Sequence, residues 1–293
     1  MFNFFKNKDK ATASTAMADN SLEAQLNQVD VCFVIDTTGS MGGFINAAKA
    51  QLLKVLERLS ANNDINLQIG LVEYRDHPPQ DKSFVTRIYP LTADLKKMQM
   101  NINKLQPSGG GDAPEAVYQG VFDACKKMQW RTHSCRFALL VGDAPPHAFA
   151  AWLKEVTGGA ESFASHGDSW ANQCPSGLDV YSVTAAAEEN RVKVYGLAMT
   201  TPAAQVPFEV MAKMTGGECF LNNRGDGVIQ KIEAILKGEF DHIYFDQKVL
   251  EVLTAMETDD NDFEVEGLAE RLEVAVNDVV ASVSRLGKRG FLS

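Results

Sequence analysis

The chain has no apolar run approaching the roughly 20 residues that a membrane-spanning helix needs. It has no surplus of positive charge. Its 28 Lys and Arg against 38 Asp and Glu leave a formal net charge of −10, which argues against general binding to nucleic acid or anionic membranes. It is also poor in cysteine, with five in 293 residues. An odd count with no Cys-x-x-Cys pair implies neither a disulfide framework nor a zinc site. Cys32, Cys135 and Cys219 sit inside strand-like apolar runs and read as small core residues. The opening residues carry Phe2, Phe4 and Phe5 without a continuous apolar segment, so they do not read as a secretory signal. A reducing cytoplasm is the expected setting. Residues 1–27 read as a disordered leader and linker, with a weak docking peptide on the three phenylalanines as the alternative. No internal repeat is present.

What is present starts at Val31. The run Val31-Cys32-Phe33-Val34-Ile35 ends abruptly in Asp36-Thr37-Thr38-Gly39-Ser40, and an amphipathic pattern begins at Phe44. That spells a buried parallel strand, a tight turn and a helix. The turn gathers one carboxylate and the hydroxyls of Thr38 and Ser40, hard oxygen donors that suit Mg²⁺, Mn²⁺ or Ca²⁺. From Val29 to about Leu236, strand-like and helix-like segments alternate, which predicts an α/β fold with a mostly parallel sheet and helices on both faces. The expected strands are Asp30–Asp36, Ile65–Tyr74, Phe84–Tyr89, Cys135–Gly142, Val192–Met199 and Glu218–Leu221. The expected helices are Gly43–Leu59, Ala93–Leu105, Ala113–Met128, Val180–Asn190, Pro207–Met214 and Val228–Leu236. Between Ala144 and Asp179 the pattern lapses into a glycine-rich irregular segment, a frequent place for function.

Two further loops carry acids. In Ser108-Gly109-Gly110-Gly111-Asp112-Ala113-Pro114-Glu115, Asp112 reads either as a helix cap, with Glu115 completing a capping box, or as a metal ligand. In Leu140-Val141-Gly142-Asp143-Ala144-Pro145-Pro146-His147 a second buried strand ends in aspartate, either a turn residue or a ligand.

These motifs resemble the metal-ion-dependent adhesion site of von Willebrand factor type A domains, over roughly residues 28–237. The Gly-Gly-Gly-Asp-x-Pro-Glu variant resembles the branch that includes domains found with atypical alpha-kinases. The resemblance implies a doubly wound, Rossmann-like sheet of six strands in the order 3-2-1-4-5-6. Strands one and four are then neighbours at the topological switch point, where ligands bind outside the carboxyl ends. It implies a divalent cation, Mg²⁺ foremost, on Asp36, Thr38 and Ser40, with Asp112 and Asp143 completing the set, and a protein partner docking there. Most relatives have threonine where Asp112 stands. The extra carboxylate is expected to hold the metal more tightly and to favour a neutral or water-mediated partner ligand.

Tyr74-Arg75-Asp76-His77 and His147 are expected at the same end of the sheet, as a partner-binding rim or, for Arg75 and Asp76, as a loop-stabilising pair. His77 and His147 would be the bases if the site were a metal-assisted hydrolase. No nucleophile is evident, so a non-enzymatic binding role is the expectation.

After Phe240 the style changes. Asp246–Met256, Val265–Leu272 and Asn277–Leu286 read as short helices, with Gly287 as a stop and Phe291-Leu292 as a short strand. Residues 241–293 resemble a small winged helix-turn-helix. Such a module binds DNA through its second helix, but its few basic residues (Arg271, Arg285, Lys288 and Arg289) stand among many acids. A docking or oligomerisation role is favoured over DNA binding.

Overall fold

The computed structural model describes residues 25–61, 65–164, 167–199, 202–222, 224–256 and 265–292. Most of the expected leader and the acidic loop Glu257–Asp262 lie outside the described residues. The sheet comprises β1 (Gln28–Asp36), β2 (Asn66–Tyr74), β3 (Thr86–Thr92), β4 (Cys135–Gly142), β5 (Val192–Met199) and β6 (Cys219–Asn222). Their order is β3-β2-β1-β4-β5-β6. Neighbours run parallel except β3, which pairs antiparallel with β2. This is the expected doubly wound order, with β1 beside β4 and Ile35 opposite Val141.

The central strands read as unbroken apolar runs because helices cover both faces. Val29, Val31, Phe33 and Ile35 of β1 face one helical layer. That layer contains α1 (Gly42–Ala47), a π turn (Ala48–Leu52), α2 (Leu53–Ala61) and α3 (Leu95–Lys104). Cys32 and Val34 face the other layer, which contains α4 (Val117–Lys127), α5 (Phe149–Val156), α6 (Val180–Glu189) and α7 (Pro202–Met214). Each buried aliphatic or phenyl side chain contributes about 1.5–3 kcal/mol to holding the layers together.

Several expectations need correction. Asp112 does not start a helix. The helix begins at Val117, with Ala116 as a cap that offers no side-chain bond. Helix α5 fills part of the segment expected to be irregular, entered through Ala148 in the left-handed region (φ 61°) without a side-chain cap. The helices expected at Val228–Leu236 and Asp246–Met256 are one, α8 (Gly225–Met256). It packs Ile232, Phe240 and Ile243 on the sheet's core, then Val249 and Leu250 on a separate C-terminal core. No break is needed at Gly238 because the helix simply changes partner along its length.

That C-terminal core gathers α9 (Val265–Leu272) and α10 (Val276–Arg289). Helix α10 runs through Gly287 and stops at Gly290, whose φ of 82° ends it in the left-handed conformation. Phe291 and Leu292 form no strand, and no strand occurs among the described residues after β6. Instead Phe291 leans on His133, ring centroids 5.4 Å apart. Two of the four basic residues are held internally. Arg285 pairs with the buried Asp246, and Arg289 donates to the carbonyls of His133 and Leu26. The loop before β4 and the chain entering β1 mark the amino ends of those strands, opposite the acidic loops.

Candidate metal centre

The carboxyl end of β1 delivers Asp36 into a fully buried position. Its Oδ1 accepts from the Thr38 amide at 2.8 Å and from Thr38 Oγ1 at 2.6 Å. Its Oδ2 is buried with no hydrogen-bond partner. Ser40 Oγ lies 3.5 Å from Thr38 Oγ1 and donates to Asp143 Oδ1 at 3.0 Å. Asp143 directly follows β4, so the β1–β4 pairing brings the two loops together. Four of the expected residues, Asp36, Thr38, Ser40 and Asp143, thus form one connected group of oxygen donors. Burial, then the charge of Asp143, pushes the Asp36 carboxyl up to about 7. A cluster of acids that destabilise one another's charge is the donor set a divalent cation relieves.

The glycine loop closes over this group. Gly39 donates to the Gly109 carbonyl at 3.3 Å, and Ser108 donates to the Thr37 carbonyl at 3.0 Å. Gly110 has a φ of 87° and lies against Thr38 and Glu115, a backbone that favours glycine. Asp112 follows on this loop, with its carboxylate bonded to the segment before α6. Its Oδ2 accepts from the Ser169 amide at 2.7 Å, and its Oδ1 is buried without a partner. It groups instead with Asp76 and His147, whose candidate ligand atoms all lie within 4.8 Å of one another.

The residues expected on a rim are buried. Tyr74, Asp76 and His147 are fully buried, while Arg75 and His77 are 8% and 6% exposed. Arg75 pairs with Asp81 at 3.7 Å, not Asp76, and donates to Ser83 and to the Gln106 carbonyl. His147 bonds through Nε2 to Asp76 Oδ1 at 2.7 Å and through Nδ1 to Asp168 Oδ1 at 2.8 Å. Burial works against its charge, but these two carboxylates prevail and raise it to about 9. His77, buried and beside His147, is lowered to about 4.

Sequence reasoning missed two participants. Glu115 is 4% exposed with Oε2 unpartnered. Burial, then the charges of Asp36, Asp76, Asp112 and Asp143, raises its carboxyl to about 11. The capping-box reading hid it, since the same spacing serves both roles. Asp168 had only a weak signal, an acid beside glycine in an irregular segment.

Comparison with known proteins bears on the family and the fold. The family model for the von Willebrand factor A domain matches residues 30–155. An alpha-protein kinase, vwkA, from Dictyostelium discoideum is 29% identical over 120 residues, 41% of this chain and 19% of that protein. The von Willebrand factor A domain-containing protein 7 from Mus musculus is 36% identical over 83 residues, 28% of this chain and 8% of that protein. The chain therefore spans less than a fifth of the length of these curated relatives. Among solved structures, the pilus adhesin SpaC from Lactobacillus rhamnosus GG has a TM-score of 0.50 at 14% identity, covering 74% of this chain and 30% of that one. The sheet order and the matched segment agree: the chain carries a von Willebrand factor A domain, a fold of the doubly wound α/β class.

Proposed function

We propose that this chain is a protein-interaction module that docks a partner through a divalent cation, Mg²⁺ foremost, with Mn²⁺ or Ca²⁺ as substitutes. Asp36, Thr38, Ser40 and Asp143 supply the donors, with Asp112 completing the set from the glycine loop. The observation that carries this reading is the buried Asp36 Oδ2, unpartnered beside the Ser40–Asp143 hydrogen bond. Von Willebrand factor A domains are commonly interaction modules, which supports a binding role.

Hydrolysis has less support. His147 is held between two carboxylates in the direction that keeps its proton, which makes it a poor general base near neutral pH. The kinase name of the Dictyostelium relative belongs to a protein of which only 19% is aligned. DNA binding through α10 is disfavoured because Arg285 and Arg289 are engaged internally. A cytoplasmic setting is part of the proposal and rests on five unpaired cysteines. Among the described residues, no helix is long and apolar enough to cross a membrane.

The test is calorimetric titration of metal-stripped protein with Mg²⁺, Mn²⁺ and Ca²⁺, beside an Asp36→Ala, Ser40→Ala variant. Binding by the parent that disappears in the variant supports the site, and a partner pull-down with and without metal follows. Equal binding by both, or none by either, overturns it.

A further inference from the structure

Asp76, Asp112 and His147 come from three separate loops, yet their ligand atoms lie within 4.8 Å of one another. Asp76 is fully buried, and its Oδ2 has no hydrogen-bond partner. Asp112 Oδ1 is likewise buried and unpartnered. Two carboxylates with spare buried oxygens beside one imidazole are an expensive arrangement without a cation. The single charge of His147 offsets only one of them.

The imidazole is also oriented as a ligand. Asp168 Oδ1 accepts a hydrogen bond from Nδ1 at 2.8 Å. Asp168 is itself fixed, because Ala148 N donates to its Oδ2 and Trp170 N to its Oδ1, each at 2.8 Å. A carboxylate holding one ring nitrogen while the other faces the metal is the usual outer support of a metal-bound histidine. The same strand of loop fixes Asp112, through the Ser169 amide. Trp170 packs edge-on against His147 with centroids 4.8 Å apart, covering the cluster.

We infer that Asp76, Asp112 and His147 form a second cation site, distinct from the Asp36 group and suited to a divalent transition ion. The mixed donors decide the class: imidazole favours Zn²⁺-like ions over Mg²⁺ or Ca²⁺, and Mn²⁺ tolerates both nitrogen and carboxylate. Binding replaces the proton between His147 Nε2 and Asp76 Oδ1, 2.7 Å apart, with the ion, and that proton leaves to solvent. Bonds of about 2.0–2.1 Å at a tetrahedral angle set donors about 3.3 Å apart, so the pair opens by about half an ångström. Four ligand carboxylates, Asp36, Asp143, Asp76 and Asp112, then face two divalent ions in balance. Here Asp112 serves the second ion, so the inference rests on the cation-binding reading of the crevice and reassigns one of its ligands.

The experiment is Mn²⁺ titration of the metal-stripped full chain. Free Mn²⁺ is counted by electron paramagnetic resonance, and pulsed measurements detect ¹⁴N coupling from a coordinated imidazole. The expected result is two ions per chain with a nitrogen signal. His147→Gln loses one ion and the nitrogen signal. Asp36→Ala with Ser40→Ala loses the other ion and keeps the signal. Asp168→Asn, which leaves every ligand in place, weakens the nitrogen-bearing site about 10- to 100-fold. Circular dichroism verifies that each variant folds. One ion without nitrogen coupling, lost only in the Asp36/Ser40 variant, overturns the second site and leaves the first. One nitrogen-coupled ion that survives in that variant does the reverse. No bound ion overturns both.

Discussion

Replacing Asp246 with alanine measures how firmly the C-terminal helices belong to the sheet domain. Asp246 lies on α8, fully buried, and accepts from Ser282 Oγ at 2.7 Å and from Arg285 Nη2 at 2.6 Å. Both donors are on α10. Removing one partner of a buried ion pair costs about 3–5 kcal/mol. The Arg285 side chain is 25% exposed, so water takes over part of its charge, and the lower half of that range applies. The buried Ser282 hydroxyl loses its acceptor as well, at about 1 kcal/mol. The expected loss is about 4–5 kcal/mol, near 1.5 M in urea midpoint for a slope of about 3 kcal/mol/M. All three tryptophans, Trp130, Trp152 and Trp170, precede α8, so fluorescence reports the sheet domain while far-UV dichroism reports every helix. If α8 couples the two cores, both signals shift together in Asp246→Ala. A dichroism phase that moves while fluorescence stays put means the C-terminal helices unfold as a separate unit. A loss below about 1 kcal/mol refutes the ion-pair argument itself.

Four further outcomes follow from the same geometry. Saturating Mg²⁺, which the nitrogen-bearing second site disfavours, at 100 times its dissociation constant stabilises the parent by about 2.7 kcal/mol, raising Tm by roughly 5–10 °C, and Asp36→Ala abolishes the rise in a thermal melt. Asp112→Thr weakens cation affinity in calorimetry, and unchanged affinity and partner choice would refute a ligand role for its carboxylate. Gly110→Ala forces a φ of 87° on a residue with a Cβ and sets that atom 2.9 Å from Glu115 Oε1; the expected cost is about 1–2 kcal/mol, with weaker cation binding. Glu239 is held down to about 2, since Lys193, Tyr195 and His242 outweigh the effect of burial. Its folded value lies below the unfolded one, so its stabilisation is present above about pH 4.5 and is lost as pH falls toward 2. Glu239→Gln should flatten that acid limb by up to about 3 kcal/mol in denaturation measured across pH.

The central strands were legible because burial on both faces leaves a simple signature. Cys135–Gly142 and Val192–Met199 end where expected, at the turn residues that bound continuous apolar runs. Helix starts were harder. Asp112 and Glu115 have capping spacing, but their carboxylates face the acidic crevice, and α4 starts five residues after Asp112 with no side-chain cap. The long helix was read as two because the sequence changes style after Phe240, where α8 passes from one core to the other. The Asp36–Asp143 group was foreseeable, since both acids end buried strands that the fold makes neighbours. The grouping of Asp76, Asp112, His147 and Asp168 was not, because no local pattern links loops so far apart in sequence.

Helix α8 also sets a distance. It starts beside the helix that follows the cation loop, where Gln51 donates to Asp226 at 2.7 Å, and its far part carries Asp246, Val249 and Leu250 into the C-terminal core. Its 32 residues, at about 1.5 Å each, make a strut of about 48 Å. The acidic loops and the α9–α10 pair thus lie toward opposite ends of that helix.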